Sequence, residues 1–125
     1  MAHRALITLL STAFALSLSA CGGGTETEGV ACTTEVRTSV LVNAVDTSSA
    51  PIPSASVTYQ INDGPAQIVV CPVSGACPVG AEQAGRFKLT VSKVGYVSAA
   101  AGVQVNRDVC HVFTEQVTVV LRKAS

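Results

Sequence analysis

The stretch Gly85-Arg86-Phe87-Lys88-Leu89-Thr90-Val91-Ser92 decides the fold. Phe87, Leu89 and Val91 alternate with Arg86, Lys88, Thr90 and Ser92. That separates apolar from polar side chains only in an extended chain, where successive side chains point to opposite faces. The same period of two recurs on both sides. Val36, Thr38, Val40, Val42 and Ala44 alternate with Arg37, Ser39, Leu41 and Asn43. Val57, Tyr59 and Ile61 alternate with Ser56, Thr58 and Gln60. Ala66 to Cys71 reads as a further strand, and so does Val97 to Val105 with its small-residue centre. In the last one, Val117, Val119 and Leu121 alternate with Thr118, Val120 and Arg122.

Turn formers separate these runs: Asp46 to Ala50, Asn62-Asp63-Gly64 and Asn106-Arg107-Asp108. Pro72 to Gly80 holds two prolines and two glycines among apolar residues and reads as a loop. Beyond residue 20 no stretch sustains a helical period. Short strands with turns at intervals of roughly ten residues predict an all-β, antiparallel-rich sandwich of about seven strands. Alternation further implies that each sheet has one buried and one wet face.

The N-terminus has a different character. Arg4 is followed by an uncharged apolar run, Ala5 to Leu18, and then by the small residues Ser19 and Ala20. About 14 apolar residues are too few for a permanent membrane helix, which needs roughly 20, so the segment reads as a cleaved export signal. The junction Leu18-Ser19-Ala20-Cys21 resembles the lipobox of bacterial lipoproteins at each of its four positions. The resemblance implies a diacylglycerol on the Cys21 thiol, cleavage after Ala20, and a membrane-held mature chain. It also implies an envelope location. Gly22 rather than Asp follows the anchor, which by resemblance to enterobacterial sorting signals points to the outer membrane. The expected organisation is a signal peptide (1–20), a lipid-anchored tether (21–34) that begins with Gly22-Gly23-Gly24, and one domain (35–125).

Export changes the reading of the cysteines. With Cys21 set aside, Cys32, Cys71, Cys77 and Cys110 remain, and an even number in a small exported domain indicates disulfides. Three pairings are possible. The favoured one is Cys71–Cys77, closing a short loop, with Cys32–Cys110 joining the start of the domain to the start of its last strand. Zinc bound by these cysteines and His111 is the rival, but the paired C-x2-C spacing of a structural zinc site is missing. No metal and no cofactor are expected.

Past residue 20 the chain has seven basic and eight acidic residues, a formal charge of −1. There is no basic patch, so nucleic acid is not an expected partner. Nucleophilic catalysis would need a base beside a serine or cysteine. His111 is the single histidine of the mature region and reads as an ordinary loop or strand-edge residue. No G-x-S-x-G elbow occurs. Glu26 and Glu28 form an acidic pair in the tether, where nothing would fix their geometry. The expectation is a non-enzymatic structural or protein-interaction module held at the envelope. The alternative is a sandwich that binds carbohydrate or another small ligand, for which Tyr59 and Tyr96 are the available aromatic platforms.

Two stretches carry a family resemblance. Pro51-Ile52-Pro53-Ser54-Ala55-Ser56-Val57, together with Gly85 to Ser92 and its continuation Lys93-Val94-Gly95-Tyr96, resembles the carboxypeptidase regulatory-like domains. These are transthyretin-like, immunoglobulin-like seven-strand sandwiches. Their usual motifs are P-I-x-G-A-x-V, then G-x-[YF]-x-L-x-V and a closing G-Y. Ser54 stands where that pattern has glycine. The resemblance covers about residues 36–122 and implies fold, with Gly95 in a turn and Tyr96 as a packed anchor. It implies no protease activity, since one histidine cannot supply the zinc ligands of the enzyme domain. It implies no Lys–Asn isopeptide crosslink either, since Val117 to Leu121 contains no asparagine.

Overall fold

The computed structural model describes residues 31–125, so the leader, Cys21, Gly22 to Gly24, Glu26 and Glu28 lie outside the described residues. The described chain is all β. In chain order its strands are β1 (Thr38–Val45), β2 (Ser56–Ile61), β3 (Gln67–Val70), β4 (Cys77–Ala81), β5 (Gly85–Ser92), β6 (Tyr96–Val97), β7 (Ala99–Val105), β8 (Glu115–Val120) and β9 (Arg122–Lys123). Seven of these are longer than two residues, and they make the two layers of a sandwich. One sheet has the order β4-β1-β8 and the other β3-β2-β5-β7. The two-residue strands β6 and β9 pair as a separate small ribbon.

All pairings are antiparallel except one: β8 runs parallel to β1, from Val40 opposite Glu115 to Val45 opposite Val120. The decisive octapeptide is the inner strand β5, between β2 and β7. Phe87, Leu89 and Val91 are fully buried while Arg86, Lys88 and Thr90 are exposed. Val57 and Tyr59 of β2, Val40 and Val42 of β1, Val79 of β4, and Val119 and Leu121 near the C-terminus fill the same core. The Tyr59 ring stacks on Phe87 with centroids 6.1 Å apart. Valines supply most of the rest, because β-branched side chains pack well on a pleated surface.

Turn chemistry matches the sequence. Asn62 and Asp63 both have positive φ (51° and 60°), as a tight hairpin turn requires, and the Gly64 N–H donates to the Ile61 carbonyl. Gly95 has φ +89° in the turn from Lys93 to Tyr96. Tyr96 is partly buried against the core. At Gly85 (φ +138°) a Cβ would sit 2.7 Å from the Asn62 amide, and the oxygen of that amide accepts a bond from the Arg86 N–H. Only glycine meets both demands.

One segment departs from expectation. Pro72 to Gly80 reads as a loop, yet Cys77–Ala81 is a strand paired with β1 through Val40–Val79 and Val42–Cys77. Cys77 and Val79 point into the core, whereas Pro78 is exposed and Gly80 has φ +75°. Proline and a left-handed glycine are tolerated here because β4 is an edge strand with only one bonded neighbour. The compact unit of the described chain comprises Cys32–Ser125.

Both disulfides form in the favoured pairing. Cys71–Cys77 (Cα–Cα 4.8 Å) ties the edge strands β3 and β4, and thereby the two sheets. Cys32–Cys110 (Cα–Cα 5.2 Å) ties the chain ahead of β1 to the segment ahead of β8. Chain-entropy arguments rank them by the loops they close, 78 residues against 6. Replacing Cys32 and Cys110 together by alanine should cost about 4–5 kcal/mol, and replacing Cys71 and Cys77 together about 2 kcal/mol. Urea unfolding of the two double variants checks the order; a larger loss for the short loop would contradict it.

Ser54 lies in a conformation that favours glycine. It adopts φ +55°, the left-handed region in which a Cβ is penalised. Ser54→Gly relieves that cost but loosens the unfolded chain. A net gain of about 0.5–1 kcal/mol is therefore expected in the same unfolding assay.

Candidate functional site

The sandwich has two chemically distinct ends. At the lower end, where β1 begins, the chain enters the domain and a polar knot gathers. At the upper end, where β1 finishes, a small apolar cavity opens. The knot binds β1 as far as Ser39, and the cavity is lined by β1 from Val42 onward.

The knot is built around Glu82, in the turn between β4 and β5. Its Oε1 accepts the Arg37 backbone N–H at 2.8 Å and faces His111 Nδ1 at 2.7 Å. Its Oε2 accepts the Val112 N–H at 3.3 Å. An ionised carboxylate only accepts, so Nδ1 is the protonated nitrogen of the ring. His111 Nε2 then meets the Thr33 hydroxyl at 2.8 Å. The turn is locked from its other side as well. The Glu82 N–H donates to the Arg37 carbonyl, and the Gln83 N–H donates to Oγ of the fully buried Ser39. Glu82 itself holds φ +53°, a conformation that persists only where neighbours over-determine it.

Asp108 organises the adjoining hairpin. Its Oδ1 accepts the N–H groups of Cys110 (2.7 Å) and His111 (2.8 Å), an Asx-type turn. Arg107 bridges to Val112, and the Phe113 N–H donates to the Asn106 carbonyl. These bonds favour the ionised form of both carboxyls. Glu82 is held below its ordinary pKa first by the Arg37 N–H and then by the His111 ring. Asp108 is held down by the His111 and Cys110 N–H groups.

Carboxylate, imidazole and hydroxyl in series is also the order of an activated nucleophile. The surroundings favour a structural role. Every acceptor oxygen of Glu82 is engaged by the segments it joins, and Thr33 sits beside a disulfide on the incoming chain. The upper cavity adjoins none of these groups. The network therefore fastens residues 33–37 to the 82–84 turn and the 108–112 hairpin.

The cavity measures about 150 Å³ and is lined by Val42, Ala44, Ile52, Cys71, Val73 and Cys77 among others. It lies beneath the loop that the Cys71–Cys77 bridge closes. From Gly64 to Ala81 the chain carries no charged residue. Along that flank Ile68, Val70 and Val73 stand 70%, 68% and 77% exposed.

The residues singled out in the sequence thus fall in different places. The four cysteines pair as favoured, one bridge at each end. His111, read as an ordinary edge residue, is 7% exposed and engaged through both ring nitrogens. Tyr59 is a core residue whose hydroxyl donates to Gln67, so it offers no platform for a sugar. Among the described residues no three histidine, cysteine, aspartate or glutamate side chains cluster as metal ligands. Glu82, Thr33 and Asp108 were not legible as a group. Asp108 alone had a local signal, its position at the head of a turn. No protein-family model matches the chain, and no curated protein matches it either.

The depressed carboxyls give the fold an acid limit. Their bonds stabilise the native state above the unfolded-state carboxylate range and are lost as pH falls through the folded values. Stability should therefore drop as pH falls from about 5 toward 3. Glu82→Gln keeps the shape but removes the charge, so its unfolding free energy should be lower at neutral pH and flatter across that window. A curve parallel to the native one would disprove the role given to Glu82.

Proposed function

We propose that this chain is an envelope lipoprotein whose sandwich is a non-enzymatic interaction module, held by its lower end and offering its upper end and uncharged flank. The observation that carries this reading is the separation of the two ends. The incoming chain is fixed at the lower end by Cys32–Cys110 and by Thr33 on His111. The apolar cavity and the exposed Val70 and Val73 lie toward the other end. A domain with this layout, tethered through Cys21, projects its cavity away from the membrane.

The Leu18-Ser19-Ala20-Cys21 junction supports the anchor. The resemblance to carboxypeptidase regulatory-like domains supports a binding or spacing role, since that fold is used as a companion rather than a catalyst. The polar groups at the lower end are committed to one another, which also favours a module that acts by contact.

The test acts on the anchor. Labelled palmitate should enter the wild-type chain in bacteria that process lipoproteins, and Cys21→Ser should abolish incorporation and release the domain from the membrane fraction. Labelling that persists in Cys21→Ser would refute the assignment.

A further inference from the structure

The hairpin from Asn106 to Phe113 carries an unusual tip. Turn tips favour glycine, asparagine, aspartate and serine. Here Val109 occupies the tip and is 78% exposed. Phe113, on the same hairpin, is 51% exposed, and Val36, on the incoming chain, is 72% exposed. The tip is also stiff. Asp108 caps it with two backbone bonds, the Asp108 N–H donates to the His111 carbonyl, and Glu82 clamps His111 from behind. A rigid apolar tip differs from a stray exposed valine, because no loop ordering opposes its insertion into another phase.

The tip lies where the chain arrives. Cys32 is bonded to Cys110, the next residue, and its sulfur is 3.9 Å from the Val109 carbonyl oxygen. Eleven peptide steps separate Cys21 from Cys32, a span of at most about 40 Å when fully extended. A lipid on Cys21 therefore keeps the Cys32–Cys110 end of the domain within about 40 Å of the bilayer.

We infer that the Val109 tip, with Phe113 four residues on in the same hairpin, docks on the lipid surface that the anchor occupies. The contact rests on the lipoprotein reading and adds a second point of attachment to it. The diacylglycerol on Cys21 supplies two acyl chains, enough for stable anchoring, so the added contact serves to orient the domain rather than to hold it. The segments that meet at this end carry Glu35, Glu82, Asp108 and Glu115 against Arg37 and Arg107. Glu35 and Arg37 pair with each other at 2.8 Å. This balance gives no attraction to anionic headgroups. The contact is apolar insertion and requires neither anionic lipid nor low salt.

The chain contains no tryptophan, so single reporters are clean. Val109→Trp, Phe113→Trp and, at the upper end, Val73→Trp are made in the full chain, and the processed lipidated proteins are reconstituted into phosphatidylcholine vesicles. Brominated phosphatidylcholine should quench the indole fluorescence of Val109→Trp and Phe113→Trp about twofold or more, as expected for side chains at the headgroup–acyl boundary. The Val73→Trp protein should remain unquenched. The pattern should persist in high salt. Equal quenching of all three variants, or none of Val109→Trp and Phe113→Trp, overturns the docking. So does a concentration-dependent blue shift of Val109→Trp without vesicles, which would place a second copy of the chain on the tip. Mass analysis of the same samples separates the two readings. No lipid on Cys21 overturns the anchor and the docking together, whereas lipid on Cys21 with Val109→Trp unquenched overturns the docking alone.

Discussion

The parallel pairing of the first and last long strands is the constraint on which the smaller sheet depends. β1 is its centre, bonded to β4 on one side and β8 on the other. Val40 and Glu115 face each other across 75 residues of chain. Bringing such distant segments together costs loop-closure entropy before any contact rewards it. The chain lowers that cost covalently, with a bridge from Cys32 to Cys110 a few residues ahead of each strand. The Glu82 knot then sets the register at the same end, since Arg37 and Ser39 bind the 82–84 turn while Val112 and His111 bind Glu82. One corner thus holds β1, the β4–β5 turn and the approach to β8.

The larger sheet needs no such device. β2 and β3 are joined by the Asn62-Asp63 hairpin, and β5 pairs with β7 a short distance on in sequence. Its pairings are all antiparallel, and its order, β3-β2-β5-β7, runs in sequence order apart from the opening hairpin. The short Cys71–Cys77 bridge serves a different end. It ties the free edges of the two sheets and closes the loop 72–76, which makes no strand pairing of its own. The aromatic content explains why covalent ties matter. One stacked pair, Tyr59 on Phe87, anchors a core otherwise made mainly of valine, and small domains bury a modest fraction of their surface.

Strands with a clean period of two were legible: β1, β2, β5 and β8 could be read from the residues that bury. Gly95 and the Asn62-Asp63 turn were legible because positive φ narrows residue choice. β4 was not, since Pro78 and Gly80 are loop formers and only tertiary pairing on one side makes Cys77–Ala81 a strand. The presence of two disulfides was legible from four cysteines left once the lipobox-like junction set Cys21 apart, while their pairing was only favoured among three possibilities and is fixed by the fold. The corner around Glu82 was hidden for a different reason. Its members, Thr33, Glu82, Asp108 and His111, come from separate segments and share no spacing. A glutamate in a turn and a histidine after a cysteine carry no mark of each other. Only the topology, by placing the start of β1 beside the β4–β5 turn and the hairpin before β8, brings them within hydrogen-bond reach.

The same corner links architecture to use. A domain on a long slack tether can turn any face to the membrane, so a tether alone gives no orientation. Orientation follows when the point of attachment belongs to a rigid body and lies off-centre. Here the chain is fixed from Cys32 onward by a disulfide and by Thr33 on His111, at one extreme of β1. Slack therefore ends before the domain begins, and the lower end is the end that any upstream anchor restrains. The hairpin at that end is stiffened by the same His111 and Asp108 bonds that close the corner. The upper cavity, by contrast, is walled by β1, the Ile52 segment and the bridged 71–77 loop, and none of its lining residues shares a side-chain bond with the knot. On the proposed reading, holding and presenting fall to separate parts of one small sandwich, so changes at the cavity and changes at the knot should act independently.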